Sequence, residues 1–218
     1  MWRSRGDPGQ AHHALAEVLA AARACRECAA TLPHGPNPVL RAGAGARVLI
    51  VGQAPGWKVH TTGVPWNDPS GDRLRHWLGL DRATFYDPDR IAIAPIALCY
   101  PGRDARGGDR PPPSVCAPLW QPRLLAALPR LALIVLVGAH AQRYHLGARC
   151  GRTLTETVRH WREYLPRYLP LPHPSWRNNA WLARNPWVER EVVPEARRRV
   201  HALIGDAATA AGQPEDTE

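Results

Sequence analysis

Four short apolar runs recur along the chain: ARVLIVG (46–52), RIAIAPIAL (90–98), LALIVLVG (131–138) and RYLPLPH (167–173). The stretches between them are compatible with helix. Short continuous apolar runs alternating with helical segments are the pattern of a parallel sheet covered on both faces, hence an α/β fold. In such sheets ligands bind outside the carboxyl ends of the strands. Two segments lie at such ends, Gln53–Gly56 after the first run and His173–Ser175 after the last.

The helical segments carry their own punctuation. QAHHALAEVLAAARACRECAATL (10–32) has helical periodicity and stops before PHGPNP, which puts Cys25 and Cys28 on the last turn and exit of a helix. Ser70 is the expected cap of GDRLRHWLG (71–79), with Leu74, Trp77 and Leu78 on one face and Gly79 as the stop. Ser114 opens VCAPLWQPRLLAAL (115–128), where Pro118 and Pro122 predict a broken or late helix. Further helices are expected in GAHAQRYHLG (138–147), TLTETVRHWREYL (153–165) and VEREVVPEARRRVHALIG (188–205). Residues 1–205 read as one domain, and DAATAAGQPEDTE, 206–218, as a disordered tail.

The longest apolar stretch, LALIVLVGA (131–139), is far too short for a bilayer, and MWRSRGDPGQAHH lacks the apolar centre of a signal peptide. The expectation is a cytoplasmic protein without membrane association. Lys and Arg number 28 against 19 Asp and Glu in the 218 residues, and Lys58 is the sole lysine. A field of this sign attracts polyanions, and arginine suits phosphate; the charge permits nucleic acid without identifying it. Five cysteines without an export signal point to metal or redox use rather than disulfides. Cys25 and Cys28 form a CxxC pair, Cys99 and Cys116 follow, and Cys150 stands apart. Four thiolates so spaced fit a [4Fe-4S] cluster or a structural zinc, against the plainer reading of scattered buried thiols.

Two constellations carry candidate chemistry. In GQAPGWKVHTTGVPWNDPSG (52–71), the turn Gly52, Gln53, Ala54, Pro55 and Gly56 lets backbone approach a ligand closely, and Trp66 offers a flat apolar face for a planar ring. In LPHPSWRNNAWLARNPW (171–187), His173 is flanked by prolines that hold it extended. Ser175, Trp176, Arg177 and Asn178 follow it, a sequence able to place an imidazole donor on a ligand and push a wedge between bases.

Taken in order, GQAPG, GVPWNDPSGDRLRHWLG, LCYPG and LPHPS resemble the uracil-DNA glycosylase superfamily, closest to its iron–sulfur branch, over roughly residues 20 to 205. The resemblance implies a three-layer α/β/α fold with a central four-stranded parallel sheet and DNA crossing its carboxyl edge. It implies a monomeric, monofunctional glycosylase that hydrolyses the N-glycosidic bond of uracil in DNA during base excision repair. It also implies cluster ligation by Cys25, Cys28, Cys99 and Cys116, base stacking by Trp66 and donation to the uracil O2 by His173.

The departures from that pattern are equally specific. Gln53 and Ala54 stand where the family keeps a water-handling acid or amide, and Pro95 stands where it keeps a base-reading Asn. Gln53 cannot act as a base but can hold water through its amide; Asp68, Asp72 and His60 are the nearest substitutes in sequence. The alternatives are a protein that binds flipped bases or abasic sites without cleavage, a glycosylase for hypoxanthine or another deaminated base, and a small-molecule phosphate enzyme on a similar sheet.

Overall fold

The computed structural model describes residues 8–105 and 107–205, so the tail expected at 206–218 lies outside the described residues. Each apolar run contributes one strand: β1 (Val48–Val51), β2 (Ile91–Ile93), β3 (Leu133–Val137) and β4 (Tyr168–Leu171). They form one parallel four-stranded sheet in the order β2-β1-β3-β4.

Alternation along the strands divides the core in two. Val48 and Ile50 of β1 with Leu133, Val135 and Val137 of β3 face one side, whereas Leu49, Val51, Ile134 and Leu136 face the other. Helices α1 (Pro8–Arg23), α5 (Cys116–Ala126) and α6 (Ala139–Leu146) cover the second side. The first is covered by α3 (Pro69–Leu78), α4 (Arg82–Tyr86), α7 (Leu154–Arg159), α8 (Asn179–Arg184) and α9 (Val193–Gly205). This is the expected α/β/α sandwich, with β1 and β3 fully buried. No described helix is long and apolar enough to cross a membrane.

Several local expectations are corrected. Asp68, not Ser70, caps α3, because its carboxylate accepts the Gly71 N–H at 2.8 Å and Pro69 takes the first helical position. Cys25 and Cys28 lie beyond the end of α1, in the turns that follow Arg23. The segment after Ser114 begins its helix at Cys116 and carries Pro122 inside it. Residues 153–165 split into α7 and a 3-10 turn at Trp161–Tyr164, and the last segment winds as a π turn over Val188–Val192 before α9.

The order β2-β1-β3-β4 places β1 between strands reached in opposite directions, and the crevice of such a sheet opens at the carboxyl ends beside that reversal. The chain leaves β1 through Gly52–Gly56 into the short helix α2 (Trp57–Thr62), and it leaves β4 into His173. Hydrogen bonds from Ile96 N–H to Gly52 O (2.9 Å) and from Ala97 N–H to Gln53 O (3.0 Å) fasten the first of these exits to the segment after β2.

Candidate active site

The two exits meet. A cavity of about 150 Å³ at the carboxyl edge is walled on one side by Gly52, Gln53, Ala54, Pro55 and Gly56 and on another by His173 and Ser175. Trp66, Asp68, Ser70, Pro95 and Asp109 also line it. Its size suits one planar ring rather than an extended ligand.

His173 is fixed from both ends. The Ser175 N–H donates to Nδ1 at 3.1 Å, and the Asn178 side-chain amide donates to the His173 carbonyl at 2.7 Å. Enclosure lowers its pKa below the ordinary histidine range, opposed by the charge of Asp68. A neutral ring with Nδ1 accepting must carry its proton on Nε2, so the one remaining polar group of the ring is a donor.

Trp66 stands 5.5 Å from His173, ring centre to ring centre, tilted by 32°. Its backbone is left-handed, with φ 54°, a conformation unfavourable for a bulky residue that neighbours must enforce. Arg75 donates to the Trp66 carbonyl at 3.2 Å and the Tyr86 hydroxyl to the Pro65 carbonyl at 2.8 Å. Gly71 is required beneath it, since a Cβ there would overlap the Trp66 carbonyl. Gly52 is required beside it, since a Cβ would come within 2.9 Å of the indole.

The acids separate clearly. Asp68 lines the cavity while capping α3. Asp72 points away and pairs with Arg75, and His60 packs among His34, Trp57 and Tyr100 outside the cavity lining. Gln53 donates its amide to the Arg110 carbonyl at 3.5 Å. Asp109 reaches the cavity from the segment between Cys99 and Cys116 and was not anticipated. Its stretch, RDARGGDRPPP, reads as a polar loop, and only the fold places one of its acids at the cavity. Pro95 lines the cavity but offers no side-chain hydrogen bond, its carbonyl being bound by the buried Gln121 amide at 3.0 Å.

Beside the cavity runs a groove of about 450 Å³ bordered by Lys58, Arg73, Arg103 and Arg177. Trp176 projects there with 73% of its surface exposed, and Arg177 donates to the Gly107 carbonyl at 3.4 Å. Trp176 and Arg177 therefore belong to the groove, and Asn178 to the support behind His173.

Cys25, Cys28, Cys99 and Cys116 line one small cavity, whereas Cys150 lies elsewhere against Thr157. Burial pushes the free thiols of Cys99 and Cys116 up to about 11. The Leu98 N–H donates to the Cys116 sulfur at 3.3 Å, and the Asn37 backbone bonds the Cys99 sulfur. Among the described residues no three His, Cys, Asp or Glu side chains already meet as ligands of a metal ion. The donor set itself, four soft sulfurs around one cavity with amides aimed at two of them, fits an iron–sulfur cluster or zinc.

The site thus consists of a glycine-rich turn, an aromatic plate and an enclosed imidazole, set at the carboxyl edge of a parallel sheet. Residues 41–197, which hold all three, match the model of the Uracil DNA glycosylase superfamily, and the chain belongs to that superfamily.

Proposed function

We propose that the protein is a monofunctional DNA glycosylase that hydrolyses the N-glycosidic bond of uracil, or of a similarly deaminated base, in DNA. The observation that carries this reading is the hydrogen bond from the Ser175 N–H to Nδ1 of His173, which leaves the proton of the neutral ring on Nε2. A neutral ring donating from Nε2 at the wall of a one-ring cavity offers a hydrogen bond to a carbonyl oxygen of an extruded base. Negative charge develops on that oxygen as the base departs. One preorganised donor of this kind is worth roughly 3 to 4 kcal/mol at the transition state.

The remaining residues have roles consistent with extrusion. Trp66 stacks on the ring, and the backbone of Gly52–Gly56 closes round its edge. Lys58, Arg73, Arg103 and Arg177 hold phosphates in the groove, and Trp176 fills the gap left in the duplex. Uracil leaves as an anion and the sugar passes through an oxocarbenium-like state that water captures. Cys25, Cys28, Cys99 and Cys116 are the proposed ligands of a [4Fe-4S] cluster, which would cross-link the segment after α1 to the start of α5.

A second reading, binding of flipped or abasic nucleotides without cleavage, draws on Gln53, whose amide replaces an acid in the first turn. End-labelled duplexes carrying uracil, hypoxanthine or an abasic site, incubated with the protein and treated with alkali, separate the two. Alkali-sensitive breaks at uracil or hypoxanthine support excision. Retention of labelled DNA without breaks supports the binder.

A further inference from the structure

Hydrolysis leaves the proton of the attacking water to be placed, and the first turn holds no acid to take it. Gln53 is engaged with the Arg110 carbonyl. That bond ties the turn to a short hairpin in which Arg103 and Asp109 pair antiparallel. The Asp104 N–H donates to Gly108 O at 2.8 Å and the Arg110 N–H to Gly102 O at 2.9 Å. Arg177, from the His173 loop, binds the Gly107 carbonyl at 3.4 Å. The hairpin is therefore fastened to both walls of the site, and the acid it presents there is Asp109.

Asp109 borders both the cavity and the cationic groove. With a base in the first and its phosphates in the second, the sugar carbon joining them lies at that junction. Asp68 shares the position, but one oxygen of its carboxylate is occupied by the Gly71 N–H. Asp104 is bound to the Gly108 N–H at 2.9 Å and Asp72 to Arg75. The carboxylate of Asp109 has no hydrogen bond or ion pair with the described residues, which leaves its lone pairs for water.

We propose that Asp109 is the group that holds and deprotonates the attacking water, and that Gln53 is a positioning residue that keeps the hairpin in place. The proposal rests on the glycosylase reading. The water oxygen bonds to the anomeric carbon and its proton passes to the Asp109 carboxylate. The carbon–nitrogen bond breaks, and its electron pair leaves with the base under the His173 hydrogen bond. The products are the base as its anion and an abasic sugar with a hydroxyl at that carbon, and the proton held by Asp109 then passes to the departing base or to solvent.

Arg177 and Arg103 favour the ionised form of Asp109, whereas Asp68, Asp104 and above all the crowding of protein atoms oppose it. Although the residue is exposed, the balance is an acid titrating above the ordinary aspartate range.

The test is single-turnover excision from uracil and hypoxanthine duplexes across pH, with DNA affinity measured in parallel. Asp109→Asn is expected to slow excision by about 100-fold or more at unchanged affinity and to abolish the acidic limb of the pH profile. Asp109→Glu should restore part of the rate, and Gln53→Ala should cause a smaller loss with that limb retained. An active wild type matched by Asp109→Asn within about 3-fold at every pH, or a loss explained wholly by weaker binding, overturns the assignment. A wild type that excises neither base overturns the glycosylase reading as well, a result distinct from an active enzyme indifferent to Asp109.

Discussion

The main-chain N–H of Ser175 lies 3.1 Å from Nδ1 of His173, two residues earlier in the same loop, and so dictates which ring nitrogen carries the proton. Because enclosure lowers the pKa of the ring, it is already neutral at pH values where an ordinary histidine still titrates. His173→Ala should reduce excision by about 100-fold or more with little loss of folding stability. His173→Gln, whose amide is also a donor, should retain part of the lost rate. Single-turnover kinetics and a thermal melt of each variant check both statements.

Trp66 owes its left-handed backbone to Arg75, Tyr86 and the absence of a side chain at Gly71. Gly71→Ala should therefore displace the indole as well as destabilise α3, lowering the melting temperature and the excision rate together. Trp66→Ala should leave folding nearly intact but weaken capture of an extruded base by about 1 to 3 kcal/mol, with Trp66→Phe close to wild type. Fluorescence of a base analogue opposite a mismatch reports the capture step directly.

The groove predicts how binding responds to salt. If Lys58, Arg73, Arg103 and Arg177 contact phosphates, each truncation to Ala should lower the slope of log affinity against log salt by about 0.7 to 0.9. Trp176→Ala should leave that slope unchanged and penalise duplex substrate more than single-stranded substrate, since only the duplex has a gap to fill. Anisotropy titrations over a salt series separate these behaviours.

For the cysteines the expected outcome is compositional. Protein purified without air should contain iron and sulfide and absorb visible light. Cys99→Ser or Cys116→Ser should lose both properties, while Cys150→Ser retains them because that thiol lies outside the shared cavity. A colourless wild type with one zinc per chain would replace iron in the assignment.

How much of this was legible beforehand depends on how local each signal is. The strands were readable because β1 and β3 are apolar on both faces, which only a doubly covered sheet explains. Gly52–Gly56 and His173 were readable as partners because strand ends in a parallel sheet share one edge. The cap of α3 was misread at Ser70 because Asp68, Ser70 and Pro69 are all plausible near a helix start, and only hydrogen bonding decides among them. Asp109 was missed for a different reason. It belongs to neither strand end, and its position depends on a hairpin held by the Gln53 and Arg177 contacts, each linking residues more than fifty apart in sequence.

His145, on α6, gives a stability prediction independent of the site. Its Nε2 is buried without a hydrogen-bond partner among the described residues, and burial, reinforced by the charge of Arg167, lowers its pKa from 6.5 to about 4. The unfolded chain therefore takes up this proton first as the solution is acidified. The contribution of the neutral ring is complete above about pH 6.5 and is lost progressively as pH falls towards 4, amounting to on the order of 3 kcal/mol. His145→Leu keeps the apolar packing and removes the titrating group. Urea unfolding of wild type and variant at about pH 7 and about pH 5 should show wild type losing more stability than His145→Leu over that interval. Parallel losses in the two proteins would mean that His145 titrates alike in the folded and unfolded chain and adds nothing to the acid sensitivity.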